Sequence, residues 1–299
     1  MANEITKTSL AETITAEEIQ RDLVEAARSN LVMMPLVQQG MISVGTNTLQ
    51  ISRRYASTSF TSRTNDTTVF ANVDYIPTSI SITPTTIGRT YYVSDEADAA
   101  SIVPALDSVA YDGGRDMAEK IDTDLCALGD GFSSDAGTTG AAPDLDTLQL
   151  ALYTLAAAKA PRPYGFVGAS VFWYHVRLLL AGTQATLGAV YAQLPIADLL
   201  GQAGANGFAG TIFGVPCWES QTVKSINAAV DYANFAMSIG PGSPLVCAWK
   251  ERRDGLWTPR TEMQRRPEYA STVLTLTTCY GTGETADDRG VQITATQTA

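Results

Sequence analysis

Residues 47 to 93, NTLQISRRYASTSFTSRTNDTTVFANVDYIPTSISITPTTIGRTYYV, place the tightest condition on any fold this chain can adopt. The stretch is crowded with serine, threonine and β-branched residues, and much of it alternates, as in Ser79-Ile80-Ser81-Ile82-Thr83. Alternation with a period of two marks a strand with one buried face. Arg63-Thr64-Asn65-Asp66 supplies a turn between two such strands. Two strands of about a dozen residues, at about 3.3 Å each, reach roughly 40 Å, which is too long and too polar for the inside of one small domain. A two-stranded ribbon is marginal alone in water, so the pattern predicts a projecting hairpin stabilised by a neighbouring surface. The plainer alternative is two ordinary strands of a larger sheet with a mobile tip.

Before the ribbon, residues 1 to 46 read as an extended arm carrying one helix. Thr15-Ala16-Glu17-Glu18 has capping-box spacing, and Ile19, Leu23 and Ala26 then share a face until Asn30 and Pro35 end the pattern. A single helix cannot bury its own stripe, so the arm, with LVMMPLV at 31 to 37, is expected to dock elsewhere. After the ribbon, Leu106, Ala110, Met117, Ile121, Leu125 and Leu128 recur every three or four residues and write one long amphipathic helix ending at Gly129. GFSSDAGTTGAAPD at 131 to 144 is a flexible loop by composition and a boundary. From Asp144 the text turns to α/β: a helix at 145 to 159, a strand at GFVGAS, a helix through Trp173 and Leu180, and another helix near Pro195 to Leu200. A hairpin around GTIFGVPCWES and a strand at YANFAMSI follow, and the last part returns to long β patterning. The fold class is α+β.

Reagents for catalysis are hard to find. The chain's one histidine, His175, sits on an apolar helix and reads as packed or partly exposed rather than as a general base. Ser170 lies on the wrong turn to partner it, and no G-x-S-x-G elbow exists. GQAGANG at 201 to 207 lacks the G-x-G-x-x-G order and reads as a loop. The pairs Asp122/Asp124 and Asp144/Asp146 point to different faces of a helix and read as solvated acids. Cys126, Cys217, Cys247 and Cys279 are far apart in apolar surroundings, which predicts buried reduced thiols rather than a metal site or a disulfide framework. No catalytic residue, cofactor site or metal site is assigned.

Charge sorts the remaining partners. With 31 acids against 20 bases the chain carries a net charge of -11, which repels phosphate backbones and disfavours nucleic-acid recognition. No segment has the length and apolarity of a signal peptide or a membrane span, since VFWYHVRLLLAG is broken by His175 and Arg177. Arginine nevertheless clusters: Arg53, Arg54, Arg63 and Arg89 on the ribbon, and Arg252, Arg253, Arg260, Arg265 and Arg266 on the returning strands. Guanidinium forks suit bidentate pairing with carboxylates, so these residues, with Asp66 at the ribbon turn, are candidates for contacts between subunits. A solvated charged face is the plainer reading.

Taken in order, the arm, the polar ribbon, TYYVSDEADA leading into MAEKIDTDLCALG, the Gly-x-x-x-Gly-x-Pro hairpin GTIFGVP and the returning ERRDGLWTPRTEMQRRPEYASTVLTLTTCYGTGETADDRGVQI resemble a known arrangement. It is that of the major capsid proteins of tailed double-stranded DNA bacteriophages, the Hong Kong 97-type fold. The resemblance implies an N-terminal arm at 1–46, an extended E-loop hairpin at 47–93, a peripheral domain with the spine helix at 94–143, an axial A-domain at 144–250, and returning peripheral strands with the C-terminus at 251–299. It implies a structural protein rather than an enzyme, self-assembling through hexamers and pentamers into an icosahedral virion shell. That shell would form in the bacterial cytoplasm and enclose double-stranded DNA without sequence-specific binding. Separate scaffolding, portal and decoration proteins are the implied partners; no membrane is. The hairpin then becomes structural, with Gly210 and Gly214 allowing tight turns, Pro216 stiffening the exit, and Trp218 packing a core or a subunit contact. No lysine occurs from 47 to 93, so this loop cannot form the Lys-Asn cross-links of the family's name-giving member, and cohesion is expected to be noncovalent. With the arm starting near Met1, the resemblance implies a separate scaffolding protein, or none, and not a fused scaffolding domain. An encapsulin-like compartment enclosing a cargo enzyme is the alternative on the same fold, and an α/β hydrolase with an unrecognised site is the alternative from another class.

Overall fold

The structure is a computed structural model that describes residues 31–53, 78–100, 105–187, 207–251 and 259–298. The arm helix expected at 15–30, the turn at 63–66 and the helix near 195–200 lie outside the described residues.

Two sheets meet in one core. In the first, β12 (Ser271–Glu284) is the organising strand. It pairs with β10 (Leu245–Lys250) and β11 (Arg260–Arg266) along one edge, and with β4 (Thr85–Ser94) along the other, all antiparallel. β1 (Gln38–Ile42) adds a parallel strand beyond β10. The sequence STVLTLTTCYGTGE explains the placement: Leu274, Leu276 and Tyr280 turn into the core, while Thr275, Thr277 and Cys279 turn to the opposite, half-exposed side. Against the apolar side lies the long helix α2 (Ala105–Ala127), with Met117, Ile121 and Leu125 buried at helical spacing. A short helix, α1 (Asp95–Ala100), precedes it. The Ser94 hydroxyl caps α1 by accepting the Ala97 N–H at 3.3 Å, and Asp95, Glu96 and Asp98 crowd its positive end. The expected long helix therefore starts at Ala105, ends at Ala127, and passes into a 3-10 turn at Leu128–Gly131.

The second sheet runs β13 (Gly290–Thr296), β9 (Asp231–Ser238), β5 (Tyr164–Gly168), β7 (Val215–Glu219), β6 (Phe208–Ile212), with β8 (Ser225–Ile226) also on β9. Helices α3 (Leu145–Ala157) and α4 (Ser170–Leu187) cover one face, where Leu148, Leu155, Phe172 and Trp173 pack on Phe166, Ala236 and Ile293. The other face, with Val167, Phe235 and Met237, packs in the same core as α2 and β12.

Three expectations need correcting. Residues 290–296 were grouped with the returning strands, yet β13 leaves that sheet and pairs with β9 in the second one. It does so because GVQITAT is buried almost throughout, which suits a strand covered on both sides better than the one-sided sheet of β12. The loop at 131–144 is pinned rather than free: Ala136 N–H reaches the Gln292 carbonyl at 2.9 Å, Gln292 N–H reaches Ser134 at 2.8 Å, and the Asp135 carboxylate accepts the Thr294 hydroxyl at 2.9 Å. Residues 31–37 do not await another surface, because Met33, Met34, Leu36 and Val37 are buried in the chain's own core.

The ribbon is present at its root. β2 (Leu49–Arg53) and β3 (Thr78–Ile82) pair antiparallel from Leu49↔Ile82 to Arg53↔Thr78. Leu49, Ile51 and Ile82 pack with Ile42, Val246 and Ala248, which anchors the ribbon to the five-stranded sheet.

The pinned loop yields a sharp test. A Cβ on Gly137 would stand 2.0 Å from the Thr294 carbonyl oxygen and 2.3 Å from its amide nitrogen, both main-chain atoms of β13. Gly137→Ala is expected to destabilise the fold by about 2 kcal/mol or more, read as a lower urea midpoint at unchanged slope.

Candidate assembly surfaces

The face of the first sheet opposite α2 is polar and open. Register places Tyr92, Val273 and Gln264 in one row, Thr90, Thr275 and Glu262 in the next, then Gly88, Thr277 and Arg260. The Thr90 and Thr275 hydroxyls are 3.3 Å apart, and Arg260 pairs with Glu262. At one end the Arg266 guanidinium stands 5.9 Å over the Tyr92 ring. Together with Ser94, Ala97, Tyr269 and Ser271 these residues line a shallow cleft of about 590 Å³. Tyr92 and Tyr269 are 65% and 71% exposed, large aromatic surfaces of the kind enriched where proteins meet.

On the α2 side the arginines find partners in their own chain. The Arg89 guanidinium reaches Asp116 of α2 at 2.6 Å and stands 5.3 Å over the Tyr91 ring, while the Tyr91 hydroxyl donates to the same carboxylate at 3.3 Å. Burial first, and then the Asp116 charge, raise the Tyr91 hydroxyl above its ordinary range. Arg265 forms a two-pronged contact with Asp95, and that hydrogen bonding holds the Asp95 carboxyl below its usual value. Of the predicted contact residues, then, Arg89 lies on β4, and Arg265 and Arg266 lie at the end of β11. The side chain of Arg53 and all of Arg54, Arg63, Asp66, Arg252 and Arg253 lie outside the described residues. Tyr92 and Tyr269 escaped the sequence reading, although the alternation in TYYVS, with Tyr91 inward and Val93 buried, already turns Tyr92 out.

The GTIFGVPCWES hairpin forms one end of the second sheet among the described strands. β6 and β7 pair from Ile212↔Val215, and the two-residue turn between them is Phe213 at φ 54° and Gly214 at φ 74°, the signature of a type I′ turn. Gly210, at φ 129°, sits where the register shifts. Pro216 lies within β7 opposite Thr211. Trp218 is half-buried against the core, 6.1 Å from the Phe208 ring, and its carbonyl accepts the Trp173 indole N–H at 2.9 Å.

Groups that could have carried catalysis are tied up structurally. A His175 ring nitrogen pairs with the Thr298 carbonyl at 2.8 Å, and the Ser170 hydroxyl with the Gln221 amide. Asp144 caps α3 by accepting the Thr147 N–H at 2.6 Å and its hydroxyl at 2.7 Å, which hold its carboxyl below the ordinary range. Asp124 is bound by Lys120 at 2.6 Å and by the Tyr280 hydroxyl at 2.7 Å. Asp122 departs from its reading as a solvated acid: it is 3% exposed, and it accepts the main-chain N–H groups of Val32 at 2.7 Å and Met33 at 3.1 Å. All four cysteines are free; burial pushes the thiols of Cys126, Cys217 and Cys247 up to about 12. Among the described residues no three His, Cys, Asp or Glu side chains gather as a metal site, and no helix is long and apolar enough to cross a membrane.

An α+β subunit in which a long helix and a paired central strand support a second sheet and a rooted ribbon is a defined architecture. No family model and no curated protein sequence matches the chain. Solved structures do. The capsid of an empty GTA particle superposes with a TM-score of 0.61 at 14% identity, covering 90% of this chain and 91% of that one. The mature capsid of bacteriophage PhiM1 gives 0.59 at 15% identity, over 91% and 87%. The holo-SrpI encapsulin complex of Synechococcus elongatus gives 0.57 at 14% identity, over 86% and 85%. The chain has the Hong Kong 97-type fold.

The hairpin turn carries its own prediction. A phenylalanine at positive φ is strained where asparagine or glycine is at ease. Phe213→Asn is expected to raise stability by roughly 0.5–1 kcal/mol, seen as a higher thermal midpoint.

Proposed function

We propose that this chain is a major capsid protein that assembles, through noncovalent contacts, into an icosahedral phage head enclosing double-stranded DNA. The observation that carries the proposal is the agreement in fold across nearly the whole of both chains with the capsids of a GTA particle and of bacteriophage PhiM1. The chain's own features fit that role. Leu49, Ile51 and Ile82 root the ribbon on the first sheet, with 24 residues of sequence between Arg53 and Thr78, and the open face of that sheet offers an extended polar surface with an aromatic end. Many modest contacts of this kind, closed by symmetry into hexamers and pentamers, stabilise a shell through multivalency rather than through one strong interface. Scaffolding, portal and decoration proteins are expected as separate partners. The absence of lysine from the 47–93 loop leaves cohesion from that loop to hydrogen bonds, ion pairs and burial. The same fold in the Synechococcus elongatus encapsulin makes a compartment shell the second reading.

Electron microscopy of the protein expressed alone and of particles from its native host tests the proposal: closed shells with packed duplex DNA support a phage head, protein cargo supports the compartment, and soluble monomers at high concentration reject both. Replacing residues 55–70 by a short linker is expected to leave the circular dichroism spectrum folded and to abolish particles. Normal shells from that variant would remove the ribbon from the assembly mechanism. With a net charge of -11, the subunits should also bind duplex DNA weakly in filter or gel-shift assays; tight binding with a steep salt dependence would contradict a lumen along which DNA slides.

A further inference from the structure

The segment Leu31–Val37 lies against α2 and buries Met33, Met34, Leu36 and Val37 in the shared core. The polar link between this root and the helix is Asp122, which accepts the Val32 N–H at 2.7 Å and the Met33 N–H at 3.1 Å and is 3% exposed. Around that carboxylate the titratable groups are Cys126, one turn along α2, and Cys247 on β10, both neutral because burial pushes their thiols up to about 12. The 31–37 segment faces it with main-chain amides alone, and no cation among the described residues acts on it. A buried carboxylate whose partners among the described residues are two neutral donors is an unusual fastening, since ionised groups are seldom buried without a counter-charge.

We propose that Asp122 is a proton-operated latch at the root of the arm, which holds residues 31–37 against α2 more firmly when protonated than when ionised. Loss of solvent pushes the carboxyl up to about 6 from its ordinary 3.8, and the Val32 and Met33 amides only partly offset this. In the neutral form Oδ2 still accepts from Val32, and the proton sits on Oδ1, where the longer Met33 contact is the weaker one to lose. Because the docked root has the raised value and the open root the ordinary one, docking takes up a proton. The latch therefore tightens as pH falls from about 6 towards 4, and slackens as pH rises through 6. This inference rests on the chain's own fold and is independent of shell formation.

Hydrogen exchange on the full-length protein decides it. After correction for intrinsic rates, protection of the Val32 amide, whose bond to Oδ2 is kept in both forms, should rise as pH falls, by up to about tenfold per pH unit between pH 6 and 4, and Asp122→Asn should show no such slope. Asp112→Asn, which removes an exposed acid from the same helix, should keep it. A flat wild-type profile from pH 4.5 to 7.5, or an undiminished slope in D122N, overturns the proposal. Should D122N fail to fold, the wild-type slope together with its survival in D112N carries the test.

Discussion

Fourteen residues of β12 hold three strands at once: β10 through residues 280–284, β11 through 271–277, and β4 through 271–280. A strand paired on both edges has its register fixed from two sides, and a slip of one residue would turn Leu274, Leu276 and Tyr280 out of the core. That register decides where α2 lies, because the helix packs on those side chains, and the Tyr280 hydroxyl reaches Asp124 at 2.7 Å. Once α2 is fixed, its far end reaches the second sheet, where Leu125 and Phe132 share a core with Phe235 and Met237. Phe132 and Phe235 meet edge to face at 6.0 Å. The two sheets are thus coupled through one continuous apolar body rather than through a polar interdomain seam.

Much of this could be read from residue patterns, and the failures have physical causes. Period-two alternation around Ile80 and Ile82 placed the root of the ribbon, three- and four-residue spacing placed α2, and the Gly214 turn placed the β6–β7 hairpin. Long-range pairing could not be read: nothing local in GVQITAT says that β13 will cross to β9, since a strand buried on both faces shows no alternation to assign it to a sheet. Asp122 failed for a related reason. On a helix Asp122 and Asp124 point to different faces, and burial of one of them depends on two amides that lie about 90 residues earlier in the chain. The arginine clusters were visible as composition, but Arg89 and Arg265 find Asp116 and Asp95 across separations of 27 and 170 residues.

The placement of residues 31–46 changes how much apolar surface the chain leaves uncovered. An arm left without partners throughout would bring the whole of that apolar run to a neighbouring copy. Instead LVMMPLV is consumed internally, and β1 completes the edge of the first sheet beside β10. The exposed surface of the first sheet is the polar face of β4, β12 and β11 with its aromatic end at Tyr92 and Tyr269. Such a face gives little affinity per unit area, because each hydroxyl or carboxylate must exchange water for a protein partner. In a shell of the kind proposed above, weak individual contacts would keep errors of placement reversible before symmetry locks them.

The ion pairs beside β4 belong to the same logic. Side chains in the Arg89–Asp116 and Arg265–Asp95 pairs remain between 43% and 67% exposed. Pairs this wet are screened by salt and contribute little to holding a fold together. For the same reason they are easily exchanged: an incoming carboxylate can take over one prong of a guanidinium without stranding a buried charge, whereas a dry pair would resist. Arginine is suited to this because its planar fork keeps further donors free while one carboxylate is bound. The fold is therefore held by Leu274, Leu276, Phe235 and their apolar neighbours, and the exposed ion pairs beside β4 add little to it.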